Sequence, residues 1–160
     1  MAKFQNLTIT PYLWFNDQAE EAARFYTSIL PNSKITEISY DASGAVGEKG
    51  KPLVVSFTLA GQDFIALNGG PQFTFDEAVS FHITCDTQAE VDELWAKLGA
   101  GGGEGQCGWL HDRYGLWWQV IPRALIEGLG EKDPQKAKRV VDAMLKMKKI
   151  DVAKIQEARR

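Results

Sequence analysis

The chain has 160 residues, 44% of them hydrophobic and 24% charged, with a formal net charge of −3. That length and balance suit one compact domain or two small modules sharing a core, and exclude a disordered or fibrous chain. The mild acidity argues against a nucleic-acid partner, and no apolar run in the sequence approaches the roughly 18 residues of a membrane span.

Leu7 to Phe15 is rich in β-branched and aromatic residues and predicts a strand, with Pro11 tolerated at a sheet edge. Asp17, with Glu20 three residues on, has capping-box spacing. Ala19, Ala22, Ala23, Tyr26, Ile29 and Leu30 then recur at helical spacing. Lys34 to Tyr40 reads as a strand and Asp41 to Lys51 as a mobile polar loop. Leu53 to Leu59 and Phe64 to Asn68 read as a hairpin around Gly61-Gln62. Residues 72–78 bridge to a second strand, which begins at Val79 and carries His82.

That second strand runs into a helix over Gln88–Leu98, with Gly99 expected as a left-handed C-cap. Trp109 to Asp112 and Leu116 to Ile121 read as the last strands, separated by a turn at Arg113-Tyr114-Gly115. Beyond Pro122, Asp133-Pro134 starts a helix whose face runs through Ala137, Val141, Met144 and Lys148, and Asp151 starts a final one. Gln18-Ala19-Glu20 and Gln88-Ala89-Glu90 recur at an offset of 70 residues, setting Tyr12 against His82 and Phe25 against Trp95. The order is β-α-β-β-β twice, followed by a helical extension.

Strand alternation assigns Leu13, Phe15, Ile83 and Cys85 to the helix side. It sends Tyr12, Trp14, Asn16, His82, Thr84 and Asp86 to the opposite face, whose mixed chemistry suits a pocket wall. Cys85 and Cys107 lack CxxC spacing and have no signal peptide ahead of them, so reduced thiols in a cytoplasmic protein are expected. Cys85 is expected to be buried and inert, Cys107 more exposed, and His111 and Asp112 solvent-facing beside their turn.

Several stretches together resemble the vicinal oxygen chelate (glyoxalase and bleomycin-resistance) superfamily, in particular its PhnB-like branch, often labelled 3-demethylubiquinone-9 3-methyltransferase. They are Pro11-Tyr12-Leu13-Trp14-Phe15, Ser80-Phe81-His82-Ile83, Cys107-Gly108-Trp109-Leu110 and Asp112 through Pro122. The resemblance implies an α+β fold of two βαβββ modules, about 5–70 and 79–122, forming a curled mixed sheet around a cavity. A single domain over 1–122, a helical C-terminal extension over 123–160 and a homodimer are expected with it.

The metal-ligand positions of that superfamily carry over to Tyr12, Ala66, His82 and Gln119. Only His82 is a strong ligand: Ala66 has no donor, Tyr12 would have to ionise, and Gln119 is a weak oxygen donor. A catalytic divalent site needs about three protein ligands, so a metal is disfavoured and no cofactor is expected. The run Gly99 to Gly105 follows a helix and lacks the Gly-Lys-Ser/Thr and GxGxxG patterns, which argues against a nucleotide cofactor and the labelled methyl transfer.

The expected ligand-binding residues are Tyr12, Trp14, Phe64, His82, Trp109, Trp117 and Gln119, taking up a small aromatic or apolar molecule. His82 is the best candidate for any catalytic group or metal ligand. Each has a plainer alternative: the tryptophans as core, His82 as a satisfied interior imidazole, Gln119 as its buried partner. A metal-dependent lyase or dioxygenase or the family-labelled methyltransferase, and a non-catalytic dimeric interaction module carried by the apolar face Val140, Val141, Met144 and Met147, are the competing functions.

Overall fold

In the computed structural model, which describes residues 7–44 and 49–160, the chain divides into two units, one ending at Thr74 and the other running from Phe75 to Arg160. The first unit holds β1 (Tyr12–Phe15), α1 (Ala19–Ile29), β2 (Lys34–Tyr40), β3 (Pro52–Leu59) and β4 (Gln62–Asn68). Its sheet has the order β1-β4-β3-β2, with β1 parallel to β4 and the other pairs antiparallel. Alternation sorts the side chains by face: Leu13, Phe15, Val55, Phe57, Leu59, Phe64 and Ala66 are buried together with Ala19, Ala22, Ala23 and Tyr26 of α1.

The hairpin turn is Ala60-Gly61, both with positive φ, the backbone signature of the type I′ turns that match strand twist. β1 is shorter than the run from Leu7 implied. It lies at the sheet edge, and Pro11 has no amide hydrogen to extend the ladder, though its carbonyl accepts from Ile65 N. Four residues of the expected polar loop, 45–48, lie outside the described residues.

Asp17 does not cap α1. The helix starts at Ala19, and the amide of Ala19 donates to Asn68 Oδ1 at 2.8 Å, while Asn68 Nδ2 donates to the carbonyl of Pro52 at 2.8 Å. A side chain from the far end of β4 thus supplies the cap that the local sequence does not.

The second unit repeats the plan with β5 (Ser80–Cys85), α2 (Gln88–Leu98), β6 (Gly103–Glu104), β7 (Trp109–His111) and β8 (Trp117–Pro122). The sheet order β5-β8-β7-β6 is that of the first unit, strand for strand, again with first and last strands parallel. The glycine-rich run supplies the missing strand: β6 is only two residues long. Here α2 is capped locally, by a full capping box in which Glu90 N donates to Thr87 Oγ1 and the Thr87 amide to Glu90 Oε2. Gly99 has right-handed φ; the left-handed residue is Gly101.

Three helices follow, one more than the two expected: α3 (Arg123–Leu129), α4 (Pro134–Met144) and α5 (Val152–Arg159). They are part of the second unit. Leu125, Val140, Met147, Ile150 and Ile155 form one buried cluster with Ile121 at the end of β8. The face anticipated through Ala137, Val141 and Lys148 is displaced: Val140 is the buried residue of α4, and Lys148 lies beyond the helix, exposed and paired with Glu104. Backbone bonds tie this region to the sheet, from Cys107 N to the Met147 carbonyl at 2.8 Å and from Gly108 N to the Lys148 carbonyl at 2.7 Å. Gln88, the first residue of α2, donates to the Ile150 carbonyl and accepts from the Val152 amide.

Candidate functional site

In a sheet the residues in register across neighbouring strands share a face. Across the second sheet one row reads Gly103, His111, Trp117, Ser80, and the row bearing His82 sets it beside Gln119 and Trp109. The face opposite α2 therefore carries Ser80, His82 and Thr84 from β5, Trp117 and Gln119 from β8, and Trp109 and His111 from β7. Phe81, Cys85, Leu110, Trp118 and Val120 alternate onto the α2 side, where all but half-buried Phe81 are buried.

His82 and Thr84 are exposed, with Thr84 Oγ1 3.5 Å from His82 Nδ1. Gln119 Nε2 donates to Ser80 Oγ at 2.8 Å, which orients the carboxamide along the sheet. The ring of Trp117 is flanked by His111 at 5.0 Å and by Trp109 at 6.4 Å, both tilted by 59°. These rings need the glycines beneath them. A Cβ on Gly103 would stand 2.4 Å from His111 Nε2, and one on Gly105 would stand 3.2 Å from the Trp117 ring. The glycine run is thus the floor on which a histidine and a tryptophan lie.

The turn joining β7 to β8 is fixed by Asp112, which is 1% exposed rather than solvent-facing as its polarity suggested. Its carboxylate accepts from the amides of Tyr114 and Leu116 and from Trp118 Nε1, the last at 2.8 Å. Burial of the charged form is compensated by these charge-assisted bonds. The spacing of Asp112 to a turn glycine at Gly115, ahead of an aromatic strand, is the signal that could have revealed it.

Of the residues expected to bind a ligand, His82, Trp109, Trp117 and Gln119 share this face; His111 and Ser80 were missed, although their two-residue spacing from Trp109 and His82 places them there. The others lie in the first unit. Tyr12 is exposed on β1. Trp14 is engaged within its own unit: its indole lies against Gly69, Nε1 donates to the Gly70 carbonyl at 2.8 Å, and Phe73 meets it edge-on at 4.9 Å. Phe64 is on the helix side instead, stacked on Phe57 at 5.6 Å, because β4 enters its ladder with Phe64 and Ala66 facing α1. The same register corrects the carried-over ligand position, since the residue beside Tyr12 is Ile65 and not Ala66. Isoleucine has no donor atom either.

Cys85 is buried, and that burial, reinforced by the carboxylates of Glu90 and Asp86, pushes its thiol up to about 11. It is inert at neutral pH. Cys107 is half-buried with φ of 59°, its Sγ 3.7 Å from the Met144 carbonyl. Among the described residues no group of three or more His, Cys, Asp or Glu side chains is placed to hold a metal ion.

Two units of βαβββ with one shared strand order are the architecture of the vicinal oxygen chelate superfamily. The family profile described as 3-demethylubiquinone-9 3-methyltransferase matches residues 7–121, and the chain belongs to that family. It is 35% identical to the PhnB protein of Bacillus cereus, over 72% of this chain and 99% of that one, with a TM-score of 0.67. Protein PA1353 of Pseudomonas aeruginosa is similar at 21% identity over 73% of this chain and 98% of that one, TM-score 0.61. The fosfomycin resistance protein FosX of Listeria monocytogenes, solved with Mn(II) and sulfate, is 16% identical over 79% and 98% of the two chains, TM-score 0.54, a likeness of fold. No functionally curated protein matches the chain. Among the described residues no helix is long and apolar enough to cross a membrane.

Proposed function

We propose that the chain binds a small aromatic or apolar molecule on the face of its second sheet opposite α2, without a metal ion. The observation that carries this is the joining of an aromatic cluster, Trp109, Trp117 and His111, to the polar residues Ser80, Gln119, His82 and Thr84. Apolar rings beside a few placed polar groups are what small-molecule sites present. His82 and Gln119 together offer one imidazole and one carboxamide, short of the about three ligands of a catalytic divalent centre. The residues do not fit the Mn(II) held by the FosX structure, and no chemical step is routed through a metal.

The interaction-module reading is weakened by the tail itself, whose apolar residues Val140, Met147, Ile150 and Ile155 are buried against their own unit. A homodimer, which the family resemblance implies, remains part of the proposal and is tested by sedimentation equilibrium.

The test is tryptophan-fluorescence titration of a panel of aromatic compounds in the presence of a chelator, on the wild type and on Trp109→Ala, Trp117→Ala and His82→Ala. At least one ligand should lose about tenfold in affinity in the tryptophan variants. Binding of every hit at unchanged strength in all three would refute the site. Binding that appears only on adding Mn(II) would favour the metal-dependent alternative.

A further inference from the structure

The proposed face has a uniform electrostatic character. None of Ser80, His82, Thr84, Trp109, His111, Trp117 and Gln119 carries a permanent charge. The ion pair at its end, Asp86 with Arg123, is closed on itself at 2.8 Å. An anionic or cationic ligand laid here would shed water and meet no permanently charged partner on this face, which is costly.

Several of its hydrogen-bonding groups nevertheless keep unused capacity. The Ser80 hydroxyl accepts from Gln119 Nε2 and keeps its own hydrogen to give. Gln119 retains Oε1 as an acceptor and its second amide hydrogen as a donor. The indole N–H groups of Trp109 and Trp117 meet no protein acceptor among the described residues. A carboxamide with donor and acceptor side by side is complementary to a ligand edge with acceptor and donor side by side.

Resting on the site proposed above, we infer that its ligand is a flat, uncharged ring system with adjacent hydrogen-bond acceptor and donor, as on the edge of a lactam. The ring lies on Trp117 and Trp109, and the polar edge is read by Gln119.

Three probes of similar shape separate the elements of this assignment: 2-quinolinone, its N-methyl derivative, and quinoline-2-carboxylate, each titrated against the full chain. The lactam should bind best, with the carboxylate at least about tenfold weaker for want of a counter-charge. Methylating the nitrogen should cost about five- to tenfold in the wild type, the worth of one hydrogen bond. It should cost nothing in Gln119→Met, a variant that keeps side-chain volume and removes the amide. A merely structural Gln119 would lower all three affinities alike and leave the N-methyl ratio intact, and that result would overturn the assignment. If the carboxylate bound as tightly as the lactam and both were lost in Trp117→Ala, the face would stand as a site and the neutral-ligand inference would fall. If no probe bound up to about 1 mM, a free energy near −4 kcal/mol, or if binding ignored Trp109→Ala and Trp117→Ala, the site and the inference would fall together.

Discussion

Asp112 offers the most direct measure of how the proposed face is held. Asp112→Ala strips the acceptor from two backbone amides and from the Trp118 indole within a turn that is 1% exposed at this residue. A hydrogen bond to a charged group contributes about 1.5–3 kcal/mol and a stranded buried donor costs about 1–3; these overlap, so a loss of about 3–4 kcal/mol is expected. Asp112→Asn is milder. It keeps one oxygen for the two amides but turns an NH2 toward Trp118 Nε1, costing about 2 kcal/mol, because two donors then face each other. Adding Trp118→Phe should cost less in the Asn background than in the wild type, since it removes the opposed indole hydrogen. Urea unfolding followed by circular dichroism reads these values; with a slope of about 1–3 kcal/mol per molar, the alanine variant's midpoint should fall by about 1–4 M. An alanine variant within about 0.5 kcal/mol of wild type would refute the idea that this carboxylate organises the turn. The same variant should weaken aromatic binding, because His111 and Trp117 flank that turn.

Gly69→Ala would place a methyl 2.3 Å from the Trp14 indole, so the ring must leave and its bond to Gly70 break; a red-shifted Trp emission and a loss of about 1–3 kcal/mol are expected. Gln88→Ala should cost about 1–2 kcal/mol and speed hydrogen exchange at Val152, whose amide loses its acceptor. At pH 8 a thiol reagent should label Cys107 well before Cys85, whose thiol is raised to about 11 from 9.0. Because folding favours the protonated Cys85, its contribution is fully present below pH 9.0 and is lost as pH rises toward 11; stability of Cys85→Ser should lack that alkaline component. Deleting residues 131–160 removes Val140, Met147, Ile150 and Ile155 from one cluster, each buried aliphatic or thioether side chain contributing about 1.5–3 kcal/mol. The second unit should then fail to unfold cooperatively; an intact calorimetric transition would show that the tail is dispensable.

The repeat, the helix faces and most strands were legible because alternation and the shared Gln-Ala-Glu are local patterns. Leu13, Phe15 and Cys85 lie on the helix side for that reason alone. What escaped depended on partners far along the chain. Phe64 faces α1 because of its register with β3, and no property of β4 by itself distinguishes its two faces. Asp112 looked exposed because the sequence shows a charged residue beside a turn but not the three donors that converge on it. The glycine-rich run 99–105 shows no strand pattern, since the need for flat backbone under His111 and Trp117 arises only when β7 and β8 are laid beside β6. Alternation sends His82 to the pocket side, the family resemblance joins Gln119 to it, and the two-residue spacing of His111 from Trp109 marks the face they share.

The unequal starts of α1 and α2 bear on what each duplicated half needs before its helix is complete. Thr87 and Glu90 close their box within a few residues, so the start of α2 needs no distant partner. The Ala19 amide waits for Asn68, which leaves the ribosome 49 residues later and must itself be held by Pro52. Satisfying that terminus therefore requires a long loop to close, which the α2 terminus does not. Two copies of one plan thus complete their first helix by different means, one from its own sequence and one only with β4 in place.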